Sequence, residues 1–215
     1  MIFSSSFQIY VFVAIMGVSF TLSSILGEFY KSYKKQKKAS NFIHSLGKMF
    51  LSNRHKNGGY IVHIGIVLLF IGFIGRAFEV EKEFSLSPGE QIYFSNYVFK
   101  LNSIKSEARD NHYAFLSEID VVDSSTNQLL VNLKPEKRIY FYWNSDPEKR
   151  QPHSELDIYS TIQKDIYSIF SGYDAQKNIG YFKIMINPLV NWVWIGGVLM
   201  VIGSLFANKE PITIN

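Results

Sequence analysis

The stretch GGYIVHIGIVLLFIGFIG, residues 58–75, sets a single imidazole, His63, one helical turn inside an otherwise hydrocarbon run. Between Tyr60 and Phe78 the only other ionisable groups are Tyr60 itself and Arg76 at the far end. Three chemistries are open to His63. It can be an axial ligand to haem iron, for which imidazole is the usual ligand. It can hydrogen-bond across a helix interface, with Ser19, Thr21 and Ser23 as candidate partners. It can relay protons, which requires further carboxylates or histidines at the same depth, and Glu28 at the end of the preceding apolar stretch is the only one on offer. Arg76 can neutralise a haem propionate, or snorkel to lipid headgroups or pair with Glu79 or Glu81.

The element that must position His63 is a helix. At about 100° per residue, His63 shares a face with Gly59, Ile66, Val67 and Phe70, while Gly65 and Gly72 fall opposite. One face then carries imidazole, and the other is small enough for close helix contact. Eleven Ile, Val, Leu and Phe residues lie between Ile61 and Ile74, worth roughly −3 to −7 kcal/mol of insertion free energy. The helix can therefore carry a histidine and still enter a bilayer.

Two further apolar spans flank it. Phe7–Phe29 is closed by Glu28, and the lysine cluster follows it, the reverse of a signal peptide. Asn187–Ala207 opens with Asn187-Pro188, a capping residue and a first-turn proline, with Trp192 and Trp194 at the interface. Between spans one and two lie Lys31, Lys34, Lys35, Lys37, Lys38, Lys48, Arg54 and Lys56, an excess that marks a cytoplasmic loop. The region from Glu79 to Lys183 is then external, and carries 12 Lys+Arg against 16 Asp+Glu. The net charge of +4 is thus a topological signal, confined to one loop, and not a nucleic-acid footprint. With no cysteine in the chain, disulfides, a thiol relay and a C-x-x-C-H haem attachment site are excluded.

Within the basic loop, Phe42, Ile43, Leu46, Met49 and Phe50 recur at helical spacing, which predicts a short interfacial helix or one packed on protein, ended by Asn57-Gly58-Gly59. The external region reads as mostly β. Ser87-Pro88-Gly89-Glu90 has a type II turn signature; Tyr97, Phe99 and Leu101 alternate with Val98, Lys100 and Asn102. Ala114–Val122, Leu129–Leu133, Arg138–Trp143 and Tyr181–Ile186 are further strand candidates, and Leu156–Phe170 is open between helix and strand. His112 and His153 are expected as surface imidazoles, since no ligand cluster accompanies them. His44 and His55 are expected to snorkel or solvate, and Gly196, Gly197 and Gly203 to form a packing face.

The blocks NRHKNGGYIVHIGIVLLFIG and NPLVNWVWIGGVLMVIG, with a β-rich domain between them, resemble the C-terminal part of the CcmF-type haem lyases, a cytochrome c biogenesis family of maturation system I. The resemblance implies that His63 matches one of two membrane histidines holding a b-type haem. It implies partners: a periplasmic haem chaperone, an apocytochrome c with its thiol-handling subunit, and a larger haem-lyase subunit carrying the N-terminal half. The family's tryptophan-rich loop, its two external histidines and its first membrane histidine have no match here. The chain is therefore expected to work only beside that larger partner, and not to attach haem alone.

The expected architecture is three membrane helices with an external, mainly β domain between helices 2 and 3. Its divisions are 1–30 (helix 1), 31–59 (basic cytoplasmic loop), 60–78 (helix 2), 79–186 (β-rich domain), 187–207 (helix 3) and 208–215 (cytoplasmic tail), in a bacterial inner membrane with the β domain periplasmic. The competing reading, from another class, is a non-catalytic membrane-anchored assembly protein whose β domain scaffolds partners.

Overall fold

The computed structural model describes residues 5–36, 54–140 and 152–208; the expected helix at Phe42–Phe50 lies outside them. The chain divides into two units, Met1–Phe78 with Pro188–Asn215, and Glu79–Asn187.

In the first unit, α1 (Ser5–Gln36), α2 (Arg54–Gly75, extended by a 3-10 turn Arg76–Phe78) and α3 (Val190–Asn208) are long helices. Their segments Ile9–Glu28, Arg54–Phe78 and Val190–Asn208 are long and apolar enough to cross a membrane. Large apolar side chains such as Phe20, Trp194 and Leu205 remain exposed on them, as a lipid-facing surface requires. Two expectations fail at helix ends. Asn57-Gly58-Gly59 does not break the chain but lies inside α2, because Gly58 is held against α3. Asn187-Pro188 does not cap α3. Both end a strand (Ile179–Pro188), and the helix starts at Val190 after Leu189 takes a left-handed φ of 63°.

The second unit is two antiparallel sheets enclosing one core. One sheet orders β1 (Val80–Leu86), β10 (Ile179–Pro188), β9 (Lys164–Asp174) and β8 (Asp157–Ser160). The other orders β2 (Gln91–Phe94), β3 (Tyr97–Ala108), β4 (His112–Asp123), β6 (Glu136–Tyr140) and β7 (His153–Glu155), with β5 (Leu129–Leu133) also on β4. The ambiguous run Leu156–Phe170 resolves into the hairpin of β8 and β9. Phe99, Leu101, Ile119, Val121 and Leu133 meet Leu86, Ile166, Phe170, Phe182, Ile184 and Ile186 between the sheets. The rings of Phe170 and Phe182 stack at 4.9 Å.

Local chemistry sets the register. Pro88-Gly89 turns β1 into β2 with Gly89 at φ 92° and Glu90 N–H on the Ser87 carbonyl at 2.9 Å. A bulge between Leu101 and Ser103 inserts Asn102 and flips parity, so that Ile104 rejoins the core. One edge of β4 is shared: β5 pairs with Ile119–Val122 and β6 with His112–Leu116. At the join, buried Ser117 donates its N–H and Oγ–H to the Pro135 carbonyl at 3.2 and 2.8 Å. In the turn after β4, Asp123 accepts from Ser125 Oγ and from the Thr126 and Ser125 amides. These donors favour the carboxylate and pull its pKa down to about 2.

Candidate cofactor site

Two faces of α2 carry opposite chemistry. Toward α3, small and large residues interlock on a seam repeating every three and four positions. A Cβ added at Gly65 would lie 2.7 Å from the Gly196 carbonyl oxygen and from Met200 Cγ. One at Gly72 would lie 2.5 Å from Val193 Cγ2, and one at Gly58 2.6 Å from Ala207 Cβ. The complement holds on α3, where Gly196 faces Leu69 and Gly203 faces Val62. Each glycine admits the other helix's side chain or backbone, and van der Waals packing is the main source of helix association without water. The expected packing face at Gly196 and Gly203 is realised; Gly197 meets nothing within 4 Å and lies off the seam.

His63 points away from that seam and is exposed. Its Nδ1 lies 2.7 Å from the carbonyl oxygen of Gly59, one turn earlier. A carbonyl can only accept, so Nδ1 carries the proton in this bond; in the neutral ring Nε2 then holds the lone pair. This is the tautomer of a metal-ligating imidazole whose other nitrogen is fixed by a neighbouring acceptor. Gly59 leaves open space beside the ring, with nothing within 4 Å of a Cβ built there. Phe70, two turns on, is also exposed.

Three of the partners considered for the other two chemistries are engaged within α1 or with the start of α2. The hydroxyls of Thr21 and Ser23 donate back to the Gly17 and Ser19 carbonyls of α1, at 2.9 and 2.7 Å. Glu28 is engaged elsewhere: Lys56 Nζ approaches its carboxylate to 2.8 Å, Lys31 Nζ to 3.3 Å and Tyr60 Oη to 3.5 Å. This cluster ties α1 to the first turns of α2, three residues before His63. Above it, Val11, Ala14, Val18, Thr21 and Ile25 form a half-buried to buried stripe on α1. The cluster joins residues from two segments far apart in sequence, and a carboxylate closing an apolar span was its only signal.

Arg76 is not brought to His63. It sits exposed in the 3-10 turn, thirteen residues further on, about 20 Å of helical rise away. Glu81 is bonded instead to Lys183 at 2.7 Å, and that bond raises the lysine pKa.

In the β unit, the expectation that His112 is a surface imidazole is corrected. It is only 7 % exposed, because Tyr140 on the adjoining strand covers it at 4.9 Å between ring centroids. Its Nδ1 meets Asn111 Oδ1 at 2.6 Å, and its Nε2 has no hydrogen-bond partner among the described residues. His153 is exposed and lies edge-on to Tyr140 at 5.7 Å. Beside them Arg138 binds Glu136 and Glu155 at 2.9 and 3.2 Å; hydrogen bonds with Tyr140 and Glu136 raise its pKa. No group of three or more His, Cys, Asp or Glu residues could hold a metal ion among the described residues. His55 is exposed on the first turn of α2, and His44 lies outside the described residues.

Comparison with known proteins gives a consistent answer. Residues 77–188 match the model of the CcmF C-terminal beta-sandwich family. The chain is 25% identical over 193 residues to the cytochrome c-type biogenesis protein CcmF of Haemophilus influenzae, covering 89% of this chain and 28% of that protein. It is 25% identical over 154 residues to CcmF of Pseudomonas aeruginosa, covering 71% and 22%. The probable cytochrome c-type biogenesis protein NrfE of Escherichia coli is 25% identical over 149 residues, covering 69% and 25%. The chain spans about a quarter of the length of these curated relatives. Among solved structures, the cytochrome c heme lyase CcmF superposes with a TM-score of 0.62 at 16% identity, over 98% of this chain and 35% of that one. That likeness establishes the fold.

Proposed function

The chain belongs to the CcmF C-terminal beta-sandwich family, and on that premise we propose that it is the C-terminal module of a cytochrome c haem lyase. In this reading His63 is an axial ligand to a b-type haem whose second ligand comes from a larger partner chain. The observation that carries the reading is the pairing of His63 Nδ1 with the Gly59 carbonyl at 2.7 Å. In the neutral ring it leaves Nε2 as a lone-pair donor at an exposed position of an apolar helix, with Val67 one turn on along that face buried. A carbonyl-fixed imidazole is the ordinary form of a ligating histidine. The residues fit the group: one imidazole nitrogen held, one offered, and a glycine-floored space beside it. A bis-histidine haem would supply one-electron chemistry when bound.

The chain's own residues bind and orient. Gly59 fixes the ring, the glycine seam with α3 fixes the rotation of α2, and the Glu28 cluster anchors α1 alongside. Arg76, about 20 Å of helical rise from His63, neutralises headgroup charge at the outer end. Coverage of only 22–28% of the CcmF relatives supports a larger haem-lyase partner. The further partners in this reading are a haem chaperone and an apocytochrome c with its thiol-handling subunit. The relatives are bacterial and the three helices are apolar, which favours the bacterial inner membrane. Residues 31–59 are then on the cytoplasmic side, the β domain at 79–186 periplasmic and residues 208–215 cytoplasmic.

The reading is tested by co-expressing the chain with the larger subunit and purifying the complex. In His63→Ala the bis-histidine b-type absorbance should vanish while the complex still assembles. An unchanged spectrum removes His63 as ligand and leaves an anchored scaffold. Reporter fusions after Lys38 should read cytoplasmic and fusions after Asn127 external; the reverse overturns the orientation.

A further inference from the structure

Glycine inside a helix is disfavoured relative to alanine, so each one in α2 calls for a reason. Gly58, Gly65, Gly72 and Gly75 have one: an added Cβ would strike α3 or the residues leading into it. Gly59 does not, because a Cβ there meets nothing within 4 Å among the described residues. Helix packing explains Gly58 and leaves its neighbour unexplained. Gly59 lies on the His63 face, one turn below the ring, and its own carbonyl orients that ring. We propose that Gly59 determines ligand access at this site: its missing side chain leaves room for a flat macrocycle to lie flush against α2 while its carbonyl holds the axial imidazole.

This rests on the haem reading above, and two properties separate its consequences from those of a packing glycine. A side chain at Gly59 meets no atom of the described residues, so it should not destabilise them. It would project into the space beside His63, so it should exclude a planar ligand in proportion to its size. Gly197, equally open but on α3, is the matched control for added bulk on an exposed helix face.

The experiment uses the full chain co-purified with its larger partner, reading b-type absorbance per complex and, separately, thermal unfolding of the chain alone in detergent. Gly59→Leu should assemble, unfold no earlier than the parent and lose most of its b-type absorbance. Gly59→Ala should lose less, and Gly197→Leu none. Full absorbance in Gly59→Leu, or equal loss in Gly197→Leu, overturns the proposal. So does failure of Gly59→Leu to assemble, which would make Gly59 a contact for a partner helix. His63→Ala is run alongside: if it keeps the spectrum, the haem reading itself has failed, whereas a spectrum lost in His63→Ala and kept in Gly59→Leu removes only the role of Gly59.

Discussion

The seam face and the imidazole face of α2 use the same residue, glycine, for opposite ends. On the seam, Gly58, Gly65 and Gly72 recur every seven residues, and each is filled by α3. On the other face, Gly59 stands beside an exposed histidine and is filled by nothing among the described residues. A filled glycine fixes where α2 sits. An open one beside His63 leaves a space that no described residue takes up. Glycines in an apolar helix therefore carry information only once their neighbours are known.

The contrast breaks most readily on the seam. Gly65→Leu drives a branched side chain into the backbone of Gly196 and the side chain of Met200, with little freedom for either helix to yield. Overpacking usually costs about 1–3 kcal/mol, and a clash with backbone belongs at the top of that range or beyond. Thermal unfolding of the chain in detergent should show the loss, and an unchanged melting temperature would mean that α2 and α3 do not pack along these glycines. Gly59→Ala should move the other way, raising helix stability by about 0.5–1 kcal/mol, since the methyl group meets open space. A destabilised Gly59→Ala would show that the imidazole face is packed after all.

Outside α2, the Asp123 turn gives a small, pH-dependent control that neither face should influence. Its carboxylate has a folded pKa of about 2 against an ordinary 3.8. The stabilisation is therefore fully present above about pH 4 and is lost as the pH falls toward 2. Asp123→Asn should flatten the stability profile in that window and leave the His63 site unaffected. A profile that keeps its slope there would place the titration on other carboxylates.

Much of this was readable from residue order. The period of 3.6 placed Gly65 and Gly72 opposite His63, and the structure keeps them there. Pro88-Gly89 and the run Leu129–Leu133 were legible because turn chemistry and strand alternation are local. What failed depends on distant partners. Asn57-Gly58-Gly59 reads as a breaker until α3 supplies Gly203 and Ala207 to occupy Gly58. Asn187-Pro188 reads as a helix cap until β1 pairs Val80 with Ile186 and carries β10 on to Pro188. His112 looks solvated until Tyr140 covers it from the next strand, a pairing of residues 28 apart in sequence. The candidate site divides the same way. His63 was evident as the lone imidazole in hydrocarbon, whereas the tautomer set by Gly59 and the Glu28–Lys56–Tyr60 tie needed coordinates.

The central claim is that His63 Nε2 reaches iron, and chemical rescue tests it most directly. His63→Gly, co-purified with the larger subunit, opens a space where the ring stood. The low-spin b-type spectrum should be lost in this variant and return when imidazole is added, while complex yield stays constant. A low-spin spectrum already present in His63→Gly without imidazole would contradict the account.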